Sequence, residues 1–127
     1  MIKFMSTSGR YKFTLKEDHS FFVDGLIGVI FANPYFRCFN GHCTLLAGYS
    51  WNGCTFAPDF NGTYYAAMEH DPLYQYRKLI TSILPSFKRK KADLHFDKKM
   101  QEAKFKGRLI YFKGVRWFGW ISYYFFN

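Results

Sequence analysis

Residues 61–74 read Asn-Gly-Thr-Tyr-Tyr-Ala-Ala-Met-Glu-His-Asp-Pro-Leu-Tyr, and at this stretch the sequence changes from strand-like to helical patterns. Turn-forming residues precede a run rich in rings and alanine, so a helix is predicted to begin near Tyr64 with Thr63 as its N-cap. Pro72 should kink or interrupt that helix, because proline lacks the backbone N–H and its ring clashes with the preceding turn. The stretch therefore predicts a helical second half.

A candidate site follows from the spacing of side chains on this helix. His70 and Tyr74 stand four residues apart on one face, while Asp71 points to the adjacent face, so a base and a metal ligand would be neighbours. Asp93 and Asp97 lie on a second helical segment and could hold the imidazole from its far side. We predict that His70, Asp71, Tyr74 and Asp93 converge. A hydrogen-bonded core histidine with a purely structural role is the open alternative.

The first half of the chain is predicted to form strands and turns. Its β-like runs are short and bounded by turn residues, at 2–5, 10–15, 20–23, 35–39 and 42–51, with 25–31 as a buried strand or a turn–strand element. Asn40-Gly41 is typical of a two-residue type I′ hairpin turn. Such a turn would place Cys38 directly opposite Cys43, at a non-hydrogen-bonded pair beside the turn.

The remaining second half favours two further helices. One should run from about Lys88 to Phe105 and stop at Gly107. Its apolar stripe would consist of Ala92, Phe96, Met100 and Ala103. The other, over residues 108–120, is rich in rings and is either a core-closing helix or a docking face. We therefore predict an α+β fold in a single domain, 1–127, with a small antiparallel sheet from the N-terminal half packed against two or three C-terminal helices.

Charge and aromatic content suggest which partners the chain has. Lys and Arg exceed Asp and Glu by 18 to 9, a formal net charge of +9. Most basic residues follow position 77, and a positive field of this kind favours nucleic acid, an anionic lipid surface or an acidic protein, unless it is only a solvated helix face. Rings make up 23% of the residues, so some must lie at the surface. Exposed rings predict a protein partner.

The predicted compartment is a reducing cytoplasm. No apolar run reaches the length of a membrane span, since the longest, 117–126, is half of one. Met1–Phe4 lacks the apolar core and cleavage site of a secretion signal. Three cysteines fit this compartment, and Cys38 and Cys43 are expected to be a reduced thiol pair.

Three motifs carry a resemblance to a family. Gly48–Pro58, His70–Tyr74 and Ala92–Phe96, followed by Arg116–Gly119, are similar in kind and order to motifs of short proteins of unknown function encoded by bacteriophages and prophages. The family has Asp where this chain has Asn52, so the resemblance implies no carboxylate ligand there. Two further departures are Cys54 and Thr55, where Ala and Ser are usual. The resemblance implies synthesis in a host cytoplasm, a place in the virion or its tail, and other phage structural proteins as partners.

His70–Tyr74 followed by Ala92–Phe96 is also similar to the two catalytic helices of phospholipase A2 enzymes. That resemblance implies His70 as the base that activates water, Asp71 as a calcium ligand, Asp93 as the orienter of the imidazole and Tyr74 as its support. The glycine-rich calcium loop of that family is not recognisable here. Calcium is therefore the one candidate metal, because the Cys38–Cys43 spacing lacks the second ligand pair of a zinc site, and otherwise no cofactor is predicted.

Three functions from different classes follow. The favoured one is a bacteriophage virion-associated or late-gene accessory protein that acts through protein–protein contacts, with a mainly structural His-Asp cluster. The first alternative is a calcium-assisted esterase of phospholipase A2 type, which predicts a cleft that opens onto His70. The second is a basic nucleic-acid-binding module, which predicts a stripe of Lys and Arg interleaved with exposed rings.

Overall fold

A computed structural model describes residues 4–6, 13–51 and 61–125 of the chain, with side chains over 13–51 and 62–119. The chain divides into two compact units, Met1–Asn52 and Gly53–Asn127. Over the described residues, all strands lie in the first unit and all α-helices in the second. The fold class is therefore α+β, as predicted, whereas a single domain over the whole chain stays a prediction.

The first unit contains two antiparallel sheets. Its strands are β1 Phe4–Ser6, β2 Phe13–Leu15, β3 His19–Phe22, β4 Ile30–Ala32, β5 Phe36–Phe39, β6 His42–Leu45 and β7 Ser50–Trp51. One sheet has the order β1-β2-β7 and the other β3-β6-β5-β4. A short 3-10 helix, Asp24–Leu26, leads into β4, so the 25–31 segment is the turn–strand element rather than one continuous strand.

The second hairpin arm is not one strand over 42–51, because the backbone turns between β6 and β7. Gly48 has a φ of +97°, a conformation that glycine adopts without a steric penalty. The hydrogen bonds from Gly48 N to Leu15 O and from Leu15 N to Tyr49 O, both 2.8 Å, then direct the chain towards β2. For this reason there are two small sheets where we predicted one.

The predicted Asn40-Gly41 turn is confirmed. Both residues have positive φ, 50° and 89°, as a type I′ turn requires. The turn fixes the register of β5 and β6, in which Cys38 lies opposite Cys43.

The helices of the second unit are α1 Asn61–Gln75, α2 Arg77–Ile83, α3 Arg89–Glu102 and α4 Arg108–Phe125. This makes four helices in the described residues, and α2 was not predicted. Within this unit α1 packs against α3, and α4 packs against both. No helix of the described residues has the length and apolar character needed to cross a membrane.

Three boundary predictions were wrong. Thr63 is not the N-cap, because α1 already includes Asn61 and buries Thr63 within its first turn. Pro72 does not interrupt α1, which continues to Gln75; Tyr76 then separates α1 from α2. The second long helix ends at Glu102 rather than near Gly107. Positive φ at Lys104, with a bond from Phe105 N to Met100 O, closes its end.

Helix α4 is two-sided. Tyr111, Val115 and Gly119 recur every four residues and form its buried ridge. A Cβ at Gly119 would lie 2.5 Å from Tyr74 Oη and 3.1 Å from Arg89 Nη1, so only glycine allows this close approach. The buried ridge therefore brings α4 against the residues of the candidate site.

Candidate functional site

Asp93 is the centre of a buried cluster between three helices. Its side chain is fully buried on α3. Oδ1 accepts hydrogen bonds from the Tyr74 hydroxyl at 2.5 Å and from His70 Nε2 at 2.9 Å, both on α1. Oδ2 lies 2.7 Å from Arg116 Nη1 on α4 and 3.3 Å from Arg89 Nη1 on α3. The four donors satisfy a carboxylate that would otherwise be costly to bury.

The His70 ring is held from several sides. Its centroid lies 4.2 Å from that of Tyr74, one helical turn along α1, and 5.1 Å from that of Phe96 on α3. A carboxylate accepts hydrogen bonds, so Nε2 donates in the bond to Asp93, and Nδ1 is the ring nitrogen on the other side. An imidazole held in this way by a buried carboxylate has the arrangement of an oriented general base.

Arg89 ties the cluster to α4. Besides Asp93, its guanidinium donates to the backbone carbonyls of Val115 and Arg116, each at 3.0 Å. Such a planar group can reach several acceptors at once, which a lysine ammonium does not match. Together with the ion pair from Arg116, these bonds connect α3 and α4 at the depth of the cluster.

The cluster also changes the ionisation of Tyr74. Burial raises the pKa of its phenol strongly, and the charge and hydrogen bond of Asp93 raise it further, while Arg89 opposes the shift. Tyr74 is therefore a neutral hydrogen-bond donor to Asp93 over the whole physiological range. It supports the carboxylate and does not act as a base.

A second histidine–carboxylate pair lies between the same two helices. His95 Nε2 on α3 is 2.9 Å from Glu69 Oε1 on α1, and both side chains are buried. Lys99 Nζ lies 3.7 Å from the other Glu69 oxygen. Each helix thus contributes one carboxylate and one imidazole: α1 contributes Glu69 and His70, and α3 contributes Asp93 and His95.

The structure brings together three of the four residues expected to converge. His70, Tyr74 and Asp93 share hydrogen bonds, whereas Asp71 is half-buried on α1 and is not among the hydrogen-bond partners of Asp93. Asp97, the other carboxylate beside the stripe, forms a two-pronged ion pair with Arg108 at 2.9 and 3.0 Å. It therefore holds no histidine.

The described residues do not supply a set of ligands for calcium. Over those residues no group of three or more His, Cys, Asp and Glu side chains is placed to hold a metal ion. Asp71 alone stays the candidate ligand. Asn52, Cys54 and Thr55, at which the chain departs from the phage family, lie outside the described residues.

Sequence reasoning assigned no role to Glu69, His95, Arg89 or Arg116. Glu69 directly precedes His70, and His95 lies two residues after Asp93, so the second pair could have been sought beside the first pair on the same two helices. The arginines had a weaker signal: Arg89 lies four residues before Asp93, a spacing that favours ion pairs on a helix. Nothing in the spacing of Arg116 predicts that it reaches the same carboxylate.

Comparisons with known protein families, curated proteins and solved structures find no match to this chain. Both resemblances drawn from the motifs therefore stay predictions.

Proposed function

We propose that this chain is an accessory protein of a bacteriophage particle, synthesised in the host cytoplasm, that acts through protein–protein contacts. The observation that carries the proposal is an exposed apolar face on α4, opposite its buried ridge. We call it the α4 outer face; it consists of Leu109, Ile110, Lys113, Trp117 and Phe118.

The α4 outer face has the character of a contact surface. Leu109, Lys113 and Trp117 follow one another at intervals of four residues, and Ile110 and Phe118 lie on the neighbouring ridge. Ile110 is 76% exposed and Trp117 74%. Single exposed apolar residues are common on protein surfaces, but the apolar residues of this face lie together on one side of a helix. Tryptophan is enriched among residues that dominate binding energy. These exposed apolar groups are better suited to contact with another protein of the particle than to contact with water.

A structural role for the buried cluster fits this proposal. Two histidine–carboxylate pairs in the same pair of helices are more simply explained as clamps than as two active sites. His70 is only 6% exposed, and two arginines already bind the carboxylate that would orient it. The cluster would then hold α4 in the orientation that presents its outer face.

The test is a comparison of particles that carry different variants. Phage particles from a strain that encodes the chain are purified by density gradient, and the chain is quantified by mass spectrometry. Ile110→Ser with Trp117→Ser should remove it from particles, because the contact loses its two most exposed apolar groups. Leu94→Ser is the matched control, since Leu94 is exposed on α3 away from this face. Wild-type particles without the chain, or equal retention of both variants, would contradict the proposal.

A second candidate, the calcium-assisted esterase, is favoured by one observation. His70 is bound through Nε2 to Asp93, which is in turn bound by Tyr74, and this is the arrangement that the phospholipase A2 resemblance implies. In this function Nδ1 of His70 takes a proton from water as the water attacks an ester carbonyl. Asp93 stabilises the imidazolium that forms.

The esterase candidate is tested by fatty-acid release from mixed liposomes, with calcium and with a chelator. If the cluster is structural, release should be absent from the wild-type protein under both conditions. Calcium-dependent release that disappears in His70→Gln, with the thermal unfolding midpoint unchanged, would instead establish the esterase. His95→Gln is the matched control, because it removes the other buried imidazole.

The nucleic-acid alternative has less support. Lys90, Lys91 and Lys98 are exposed on α3, but the apolar residue among them is Leu94, and the one aromatic ring of this helix, Phe96, is buried. The lysines therefore have no ring beside them on α3 on which a base could stack.

A further inference from the structure

The two thiols of the β5–β6 hairpin are arranged as a pair. Cys38 and Cys43 lie directly opposite each other, one residue outside the Phe39–His42 pair that closes the turn. They therefore occupy a non-hydrogen-bonded pair, in which Cα atoms are about 4.5 Å apart, within the roughly 4.4–6.8 Å range of disulfides. Neither thiol is in a disulfide bond, and both side chains are buried.

The two thiols differ in chemistry. A hydrogen bond with the Cys43 side chain lowers the pKa of Cys38 to about 7, against the raising effect of burial, and the backbone of Gly41 lowers it further. Cys38 therefore has substantial thiolate character at neutral pH, and the thiolate is the nucleophilic form. Cys43 is more deeply buried and lies next to it. The pair has an attacking thiol and a resolving thiol in contact.

We propose that Cys38 and Cys43 form a reversible oxidation site, which hydrogen peroxide converts into an intramolecular disulfide across the hairpin. The Cys38 thiolate attacks one peroxide oxygen, which breaks the O–O bond, gives a sulfenic acid and releases water after protonation. The Cys43 sulfur then attacks the Cys38 sulfur, which expels the hydroxyl as a second water. Two electrons pass from the two sulfurs to the peroxide, and the two thiol protons leave in the water.

The hairpin can accept this bond with little rearrangement. The turn and the strand register already hold the two sulfurs on one side of the sheet. The disulfide would therefore join two residues that the hairpin backbone already keeps close together. Oxidation requires only that a small oxidant reach a buried pair beside an exposed turn. On the proposed function, in which the chain is a virion component, the pair would be reduced in the host and oxidised after release.

The experiment uses the purified full chain. Cys38, Cys43 and Cys54 all lie between Arg37 and Arg77 with no Lys or Arg between, so trypsin leaves them on one peptide. The Cys54→Ser variant removes the third thiol, which lies outside the described residues, and leaves the pair. The reduced protein is treated with hydrogen peroxide, unfolded, alkylated and digested. The peptide should lose two hydrogens and take no alkyl group, and a thiol reductant should restore both alkylation sites.

The second variant, Cys38→Ser with Cys54→Ser, should show no loss of hydrogen, and Cys43 should remain alkylatable or gain oxygen. The oxidised Cys54→Ser protein should also unfold at a higher temperature than its reduced form, because a link across the turn restricts the unfolded chain. Full alkylation of both thiols after peroxide, oxygen added to Cys38 without a disulfide, or a disulfide-linked dimer would each overturn the proposal. None of these outcomes depends on a phage particle.

Discussion

The two buried histidine–carboxylate pairs of the helical unit have the same local geometry and different surroundings. In each, a ring Nε2 lies 2.9 Å from a carboxylate oxygen across the α1–α3 interface. Glu69 receives ion pairs from His95 and Lys99 on α3, whereas Asp93 is bound by side chains of α1, α3 and α4. The His70–Asp93 pair thus belongs to a network that joins three helices. Since the histidine–carboxylate distance is the same in both pairs, the number of other groups bound to the carboxylate should decide how much each pair contributes to stability.

The largest effect is expected from Asp93→Ala. The substitution leaves two guanidinium groups, a phenol and an imidazole without their common acceptor, and loss of one partner from a buried ion pair costs about 3–5 kcal/mol. Urea unfolding should show this loss of free energy. Glu69→Ala should cost less, because Asp93→Ala also strands the two arginines that bind Asp93. Equal losses would show that the two carboxylates carry the same weight.

Gly119→Ala should destabilise from the α4 side of the Asp93 cluster. A Cβ there would lie 2.5 Å from Tyr74 Oη, so the helices must separate, and overpacking of this kind costs about 1–3 kcal/mol. The double variant with Tyr74→Phe removes the clashing oxygen. Its loss should be smaller than the sum of the two single losses, and strict additivity would exclude this contact as the cause.

The strand half and the fold class could be predicted from the sequence because local chemistry decides them. Asn40-Gly41 determines a turn by its backbone preferences alone, and the turn then fixes the opposition of Cys38 and Cys43. The break between β6 and β7 was missed, because it depends on pairing with β2, a residue range far away in the chain. The end of α3 was also missed, because the residue with positive φ after it is Lys104, and the sequence has no glycine at that position to indicate the end of a helix.

The candidate site could be predicted only along single helices. Spacing on α1 joins His70 to Tyr74, and a second helix with an acid at the right depth completes the triad. The contribution of α4 could not be foreseen, since nothing local reveals which side of a ring-rich helix faces Asp93. Asp71, which spacing places on the adjacent face of α1, takes no part in the hydrogen bonds to Asp93.

His70→Ala should lower the free energy of unfolding by about 1–3 kcal/mol, as when a buried hydrogen-bonded group is deleted. Asp93 keeps three donors in this variant, so the loss should be clearly smaller than that of Asp93→Ala. His95→Ala is measured alongside by urea unfolding. A loss for His70→Ala as large as that for Asp93→Ala would mean that the arginines do not compensate the carboxylate.

Tyr74→Phe should alter how stability depends on alkaline pH. The folded state raises the pKa of Tyr74 above its ordinary 10.0, so the neutral phenol is favoured by folding. The associated stability is present below pH 10 and is lost as pH rises above it, by up to about 1.4 kcal/mol per pH unit. The wild-type protein should therefore lose stability faster than Tyr74→Phe between pH 10 and 11. Parallel curves from urea titrations would refute this.

The smallest effect is expected at Asp97, which the sequence places beside the same apolar stripe as Asp93, one helical turn later. Its ion pair with Arg108 joins one guanidinium nitrogen to both carboxylate oxygens, at 2.9 and 3.0 Å. Both partners are nevertheless partly exposed, at 20% and 32% of their side chains, so water and salt screen the pair. Asp97→Asn should change the free energy of unfolding by about 0–1 kcal/mol. A larger loss, unaffected by salt, would show that geometry outweighs burial here.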